Sequence, residues 1–205
     1  MSKQDHFISG EQKAWTALAA MDAVETAKNT GVDFDNDSRS YLLKSLNSTV
    51  GISPLKKEFI CNDENGRFLT ERLGYFFRLS ALVYMTTAKD ISLSGRLINP
   101  SGMKGGEIYF RGSHILPLDK LAQKYETDKQ GFISRALELG GAETQYGDAG
   151  VILLPLPKLP IYLNLWLKDD EFPARCDIMF DSTCEMQLPL DIIWSVAMMT
   201  ILAML

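Results

Sequence analysis

Three strand-like runs in the last third of the chain constrain the fold most strongly. They cover residues 151–154, 161–167 and 176–180 and are rich in β-branched, leucine and aromatic side chains. Prolines punctuate the first gap, and the acidic turn at residues 169–173 fills the second. Connections this short hold no crossover helix, so the pattern predicts an antiparallel three-strand meander. We expect Phe172, just before Pro173, to tuck into the core.

An almost wholly apolar run at residues 192–205 follows the strands. A helix that spans a membrane needs about 20 apolar residues, and this run is shorter. Pro189 and Asp191 precede it, which are residue types suited to the first turn of a helix. No basic residue flanks it. We therefore expect a buried helix on one face of the sheet, and no membrane association.

The rest of the chain mixes helical and strand patterns. Apolar periodicity predicts helices at residues 9–28 (closed by residues 29–31), 70–89 (with Thr70 as its cap), 118–125 and 131–139. Residues 40–53 fit either a helix or a strand, and we favour a strand. Further short strands are predicted at 59–61 and 107–110.

Together these patterns predict an α+β fold. A small, mostly antiparallel sheet, built from the C-terminal meander plus short N-terminal strands, packs with several helices. We divide the chain into an N-terminal helix at residues 1–31 and a single domain at residues 32–205.

Composition and charge bear on partners and compartment. The net charge of −5 and the isoelectric point of about 5.1 argue against nucleic acid as a partner. Three cysteines without CxxC spacing fit free thiols in a reducing interior. The N-terminus has no apolar h-region, so the cytoplasm is the expected location.

An acidic group accompanies the predicted meander. Strand directions place Asp148 near the turn that holds Asp169, Asp170 and Glu171, and they place Asp181 at the opposite end of the sheet. Carboxylate oxygens are ligands for hard cations such as Ca²⁺ or Mg²⁺, so a metal site at Asp148, Asp169, Asp170 and Glu171 is one hypothesis. Solvated turns that cap backbone N–H groups are the commoner role of such residues.

A second candidate site involves glycines. The glycine-rich stretch at residues 92–106 lacks a phosphate-loop motif and is followed by Arg111 and His114. Gly140 and Gly141 allow either helix termination or the close approach of a flat ligand. We predict a binding surface where residues 92–106 and 140–150 meet, with Arg111 and His114 as its polar contacts. A structural role is the alternative for His114, and His6 lies in the N-terminal tail.

Three stretches together resemble a known family. They are LPLPKLPIYLNLWLKDDEFPARCDIMFDSTCEMQLPLDIIW, the preceding LELGGAETQYGDAGV, and the earlier ERLGYFFRLSALVYM. The chain from about residue 32 to 205 resembles the prokaryotic family catalogued as domain of unknown function 3786. The resemblance implies a link to anaerobes, in which some relatives carry an added iron–sulfur segment. This chain has three cysteines, so we expect no iron–sulfur cluster of its own.

Three functions remain open at this point. The first is a non-catalytic ligand- or cofactor-binding accessory protein of anaerobic redox or one-carbon metabolism, which binds a small molecule (a corrinoid is one candidate) or a protein partner. The second is a metal-dependent enzyme that uses the acidic group. The third is a structural protein that forms homo-oligomers. We favour binding over catalysis because enzymes generally need a nucleophile–base pair, a metal or a tuned acid–base pair.

Overall fold

A computed structural model describes residues 3–205, with side chains from residue 10 onward, so the His6 side chain lies outside the described residues. The first half contains, in chain order, α1 (Lys3–Ala19), α2 (Ala23–Thr30), β1 (Asp33–Asp35), β2 (Ser40–Ser45), β3 (Ser48–Ser53), β4 (Glu58–Cys61), α3 (Glu64–Arg67), α4 (Gly74–Thr87) and β5 (Leu97–Ile98). The second half contains α5 (Gly106–Tyr109), α6 (Leu118–Lys124), α7 (Lys129–Glu138), β6 (Ala142–Thr144), β7 (Ala149–Leu156), β8 (Leu159–Trp166), β9 (Arg175–Asp181), α8 (Cys184–Gln187) and α9 (Leu190–Met204).

The strands form two antiparallel sheets. The first has the order β1-β2-β3-β4, and the second has the order β5-β9-β8-β7-β6. The predicted meander is confirmed, with Leu163 of β8 opposite Val151 of β7 and Ile178 of β9. The α+β class is also confirmed, but the N-terminal strands form their own sheet, because each pairs with its neighbour in sequence. The backbone N–H of Leu46 donates to the carbonyl of Leu154 (3.2 Å), which joins the two sheets.

One face of the second sheet lies against the core. Side chains at alternate positions of β7 and β8 are fully buried, as the period of a strand requires: Val151, Leu153, Ile161, Leu163 and Leu165. Helix α9 packs against α4 and also contacts β7, and most of its apolar side chains are buried. The buried C-terminal helix is therefore confirmed. Across residues 3–205, no helix has the length and apolar character needed to cross a bilayer.

The N-terminal helical region is broken where one helix was predicted. Asp22 caps α2 by accepting a hydrogen bond from the backbone N–H of Glu25 (2.8 Å), and Gly31 ends α2 with a φ of 68°. Trp15 and Leu18 of α1 belong to the same buried cluster as the rest of the chain. A boundary at residue 31 stays a prediction.

Two local predictions are corrected. Thr70 does not cap a helix, because it lies in a π-helical turn (Phe68–Arg72) before α4 and its hydroxyl donates to the carbonyl of Gly66 (3.0 Å). Residues 107–110 were predicted as a strand, but most of them form α5. Gly105, with a φ of 77°, turns the chain into that helix. A helix of four residues is too short for its hydrophobic periodicity to be recognised in the sequence. Helices α6 and α7 lie where they were predicted.

Candidate functional site

The glycine-rich stretch is fixed to the sheet by one carboxylate. Asp181, at the end of β9, is 3% exposed and accepts hydrogen bonds from two backbone N–H groups of the stretch, those of Ser94 (3.1 Å) and Gly95 (2.8 Å). It also accepts from the hydroxyl of Ser94 (3.0 Å) and from the N–H (2.9 Å) and hydroxyl (2.7 Å) of Thr183. The start of this loop is thereby held against the sheet.

These bonds determine the charge of Asp181. Burial alone raises the pKa of a carboxyl, but the hydrogen bonds from Thr183 and Ser94 outweigh that effect and lower the pKa of Asp181 to about 2. The group is therefore ionised at neutral pH although it is buried. Because three of the five donors belong to Ser94 and Gly95 of the loop, Asp181 positions the loop against the sheet.

A groove of about 600 Å³ lies beside β9, between this loop and α6. The segment around Asn99 and Pro100 forms one wall, and α5, with Glu107 and Arg111, contributes another. Its remaining side is the first part of β9, residues 175–179, against which β5 does not pair. The groove thus combines a loop, a helix and a strand edge, a setting in which ligand sites are common.

Four charged side chains of the groove are paired with each other. Arg111 Nη2 lies 2.9 Å from Glu107 Oε1. Arg175 Nη2 lies 3.6 Å from Asp177 Oδ2, and its guanidinium carbon lies 4.2 Å from the centre of the Trp166 ring. These exposed ion pairs contribute little stability, because water screens them, and they leave both guanidinium groups accessible to a ligand.

The groove also contains a thiol. Cys176 is 5% exposed, and burial, with a smaller contribution from the Asp177 carboxylate, raises the pKa of its thiol to about 12. Cys184 is also buried, with a pKa raised by burial to about 12. Both thiols are protonated at neutral pH, which makes them poor nucleophiles, and they pack as small apolar side chains.

His114 has an aromatic environment and does not line the groove. Its ring stacks on Tyr109 with centroids 4.4 Å apart, and it meets the edge of Trp194 at 5.2 Å. Its carbonyl accepts the indole N–H of Trp194 (2.7 Å). These contacts tie the segment that precedes α6 to α9, which is the structural role considered for this histidine.

Gly140 and Gly141 lie away from Arg111. A Cβ atom on Gly140 would be 3.0 Å from the Cβ of Asn47, and one on Gly141 would be 2.5 Å from the carbonyl oxygen of Ile152. Gly140 has a φ of 74° and lines a different cavity of about 520 Å³. The close approach that these glycines allow is therefore to the chain itself. The predicted surface shared by residues 92–106 and 140–150 is not one cavity, because no residue of 140–150 lines the groove of Arg111.

The acidic group is placed as the strand directions predict. Asp148 Oδ2 accepts the backbone N–H of Leu167 (2.8 Å), close to the turn that contains Asp169. Asp169 Oδ1 accepts the N–H groups of Glu171 (2.8 Å) and Phe172 (2.7 Å). Asp170 and Glu171 are exposed. Within the described part of the chain, no three His, Cys, Asp or Glu residues are grouped so that they could hold a metal ion. A cation site at this turn stays a prediction.

The position of Phe172 differs from the prediction. It was expected in the core, but 66% of it is exposed. The hydrogen bond between the N–H of Asp169 and the carbonyl of Phe172 (3.1 Å) closes a local turn that stands outside the sheet. Pro173 therefore follows an external turn and not a core position.

A further concave surface of about 450 Å³ lies between the π-helical turn and the end of α7. Arg67, Arg72 and Arg135 line it together with Glu64 and Glu71. Arg135 is committed to the carbonyl of Ala203 (Nη2, 2.8 Å) and to Glu138 (Nη1, 3.0 Å). The mixed charges and the committed arginine make this surface the weaker candidate.

Sequence reasoning found Arg111 but missed the strand edge beside it. The part of β9 that β5 leaves unpaired could not be predicted, because the length of β5 and its pairing with β9 depend on residues more than 80 positions apart. One residue that could have indicated the early end of β5 is Pro100, because proline has no N–H to donate to a neighbouring strand.

Comparisons with known proteins give one result. A family model, described as a domain of unknown function (DUF3786), matches residues 22–203. Neither a curated protein nor a solved structure matches significantly. The match covers most of the chain and starts about ten residues before the stretch that resembles the family in sequence. The chain therefore belongs to the family described as domain of unknown function DUF3786.

Proposed function

We propose that this protein is a non-catalytic binding protein, an accessory to other proteins, and that its ligand occupies the groove beside β9. One observation carries the proposal: an anchored loop, a helix and a strand edge surround one open space, with Arg111 at its rim. The hydrogen bonds to Asp181 hold the start of the loop in place through contacts within the chain. A preformed site of this kind lowers the ordering cost of binding.

The chemistry of the groove supports binding more than turnover. The Cys176 thiol is protonated at neutral pH, since its pKa is raised to about 12, and the charged groups Glu107 and Asp177 each face an arginine. A catalytic site generally holds an activated nucleophile or an acid–base pair of separated pKa values. The groups described here suit recognition of a polar ligand.

The metabolic setting of that role comes from the family resemblance, and the expected location comes from features of the sequence. We place the protein in the cytoplasm of an anaerobe, as an accessory of redox or one-carbon metabolism, with a corrinoid as one candidate small molecule. A protein partner is the other candidate. A metal-dependent enzyme at Asp169 and Asp170 remains an alternative outcome of the test.

A thermal-shift screen of the full chain tests the proposal. The library contains corrinoids, other small molecules, peptides, Mg²⁺ and Ca²⁺. A ligand at one hundred times its dissociation constant should stabilise the protein by about 2.7 kcal/mol. Arg111→Ala should weaken that response, whereas Arg72→Ala, on the separate concave surface, should leave it unchanged. A response that depends on Arg72 but not on Arg111, or substrate turnover that depends on Asp169 or Asp170, contradicts the proposal.

A further inference from the structure

Strand β5 stops early along β9. It pairs Leu97 with Asp181 and Ile98 with Phe180, and then a 3₁₀ turn (Pro100–Gly102) ends the pairing. Pro100 has no N–H to donate to a ladder. Asn99 caps the turn, since its side chain accepts the N–H of Gly102 (3.0 Å). No strand of the described chain therefore pairs with residues 175–179 on the side of β5.

The edge of β9 that faces this position carries unpaired backbone groups. The N–H of Ser182 donates to the carbonyl of Arg96 (2.8 Å), so the N–H of Ser182 points toward β5. Backbone direction alternates along a strand, and hence the N–H and C=O groups of Phe180, Ile178 and Cys176 point toward the same edge. Phe180 is opposite β5, but for Ile178 and Cys176 the described residues supply no hydrogen-bond partner on that side. An edge of this kind is a template for another strand.

The groove provides the room that a strand needs. It runs beside residues 175–179 and has a volume of about 600 Å³. A paired strand lies about 4.8 Å from its neighbour and projects alternate side chains to opposite faces. Phe110, Leu116 and Leu118 line the groove and offer an apolar surface to every second side chain of such a strand.

Charge defines the occupant further. Glu107 is paired with Arg111, and Asp177 is paired with Arg175. Asp119, the remaining carboxylate of the groove, is exposed and has no ion pair among the residues described. The surplus negative charge favours a strand that carries a lysine or an arginine.

We infer that the groove receives an extended segment of a partner protein, which adds to β9 as a strand in line with β5. The segment is free of proline over the paired positions, alternates apolar and polar side chains, and carries a basic residue near Asp119. The inference rests on the proposed function, because it names the class of ligand that occupies the same groove. Backbone hydrogen bonds to Ile178 and Cys176 supply affinity, and the apolar wall with Asp119 supplies selectivity.

A random heptapeptide library, displayed and selected against the full chain, is the probe. The selected peptides should carry a lysine or an arginine and should alternate apolar and polar side chains. N-methylation of each peptide at alternate residues then removes the amides that face β9. Binding should weaken at least about tenfold for that set, because several hydrogen bonds are lost. Methylation at the intervening residues should leave binding within about threefold, since those amides point away from the edge.

Two variants complete the experiment. Asp119→Lys should weaken binding of the basic peptides. Glu143→Lys, at an exposed site on β6 at the other edge of the same sheet, should leave their binding unchanged. The inference is overturned if the library yields no binder or if both methylated sets bind alike. In that case a small-molecule response that depends on Arg111 still supports the proposed function. If no ligand of any class depends on Arg111, both fail.

Discussion

The carboxylate of Asp181 accepts a hydrogen bond from the backbone N–H of Gly95 (2.8 Å), and this contact holds the glycine-rich loop to the end of β9. Gly95 has a φ of 72°, a conformation that glycine adopts without strain. The two residues are 86 positions apart in sequence. Their contact therefore fixes the loop relative to the sheet, beside the groove.

Asp181→Asn tests this role. The amide retains one acceptor oxygen but places an NH₂ group against backbone donors, so several of the bonds to Ser94, Gly95 and Thr183 are lost. We expect a loss of about 2–4 kcal/mol in the free energy of unfolding, measured by urea denaturation. Asp37→Asn, an exposed turn residue, is the matched control and should change stability by less than about 0.5 kcal/mol. A similar small change for Asp181→Asn contradicts the anchoring role.

The lowered pKa of Asp181 predicts that the free energy of unfolding decreases at acidic pH. Its pKa is about 2 in the folded protein against 3.8 for an unperturbed aspartate, so its contribution is present above pH 4 and is lost as pH falls toward 2. That contribution is about 2 kcal/mol. Asp63 also has a lowered pKa, mainly through the N–H of Gly66, so the total loss includes other groups. The difference between wild type and Asp181→Asn should shrink from pH 5 to pH 2, and a constant difference contradicts the assignment.

Phe172 and Phe180 make a matched pair. Phe172 is 66% exposed in the turn before β9, and Phe180 is fully buried within β9. We expect Phe172→Ala to cost less than about 0.5 kcal/mol and Phe180→Ala about 3–5 kcal/mol, both measured by urea denaturation. A large loss for Phe172→Ala would place its ring in a contact that this fold lacks.

Much of the second sheet and of α9 could be predicted from sequence, because their apolar runs are long and their connections short. The four residues of α5 were mistaken for a strand, since so short a run has no resolvable period. The break between α1 and α2 was missed, because its main signal is one capping residue, Asp22, within an otherwise helical pattern. The groove was beyond prediction because its walls come from distant segments, whereas Arg111 stood out as a charged residue after a glycine-rich loop.

The acidic turn gives a separate test. Asp148 and Asp169 each use a carboxylate oxygen to accept hydrogen bonds from backbone N–H groups, and the donors to Asp169 lie two and three residues ahead, as in an Asx turn. We therefore expect calorimetric titration with Ca²⁺ or Mg²⁺ to show no stoichiometric binding tighter than about 1 mM. Tight uptake that Asp170→Asn abolishes and Asp37→Asn leaves intact would establish a metal site there and favour the enzymatic alternative.

The location of the bound ligand tests the central claim most directly. Amide hydrogen exchange, followed by NMR in the free and the ligand-saturated full chain, reports on each backbone N–H. We predict that the amides of Cys176 and Ile178 exchange faster than that of Met179, which points toward β8, in the free protein, and that they become protected when the ligand binds. Protection confined to residues 148 and 169–171, with Cys176 and Ile178 unchanged, would contradict a binding site beside β9.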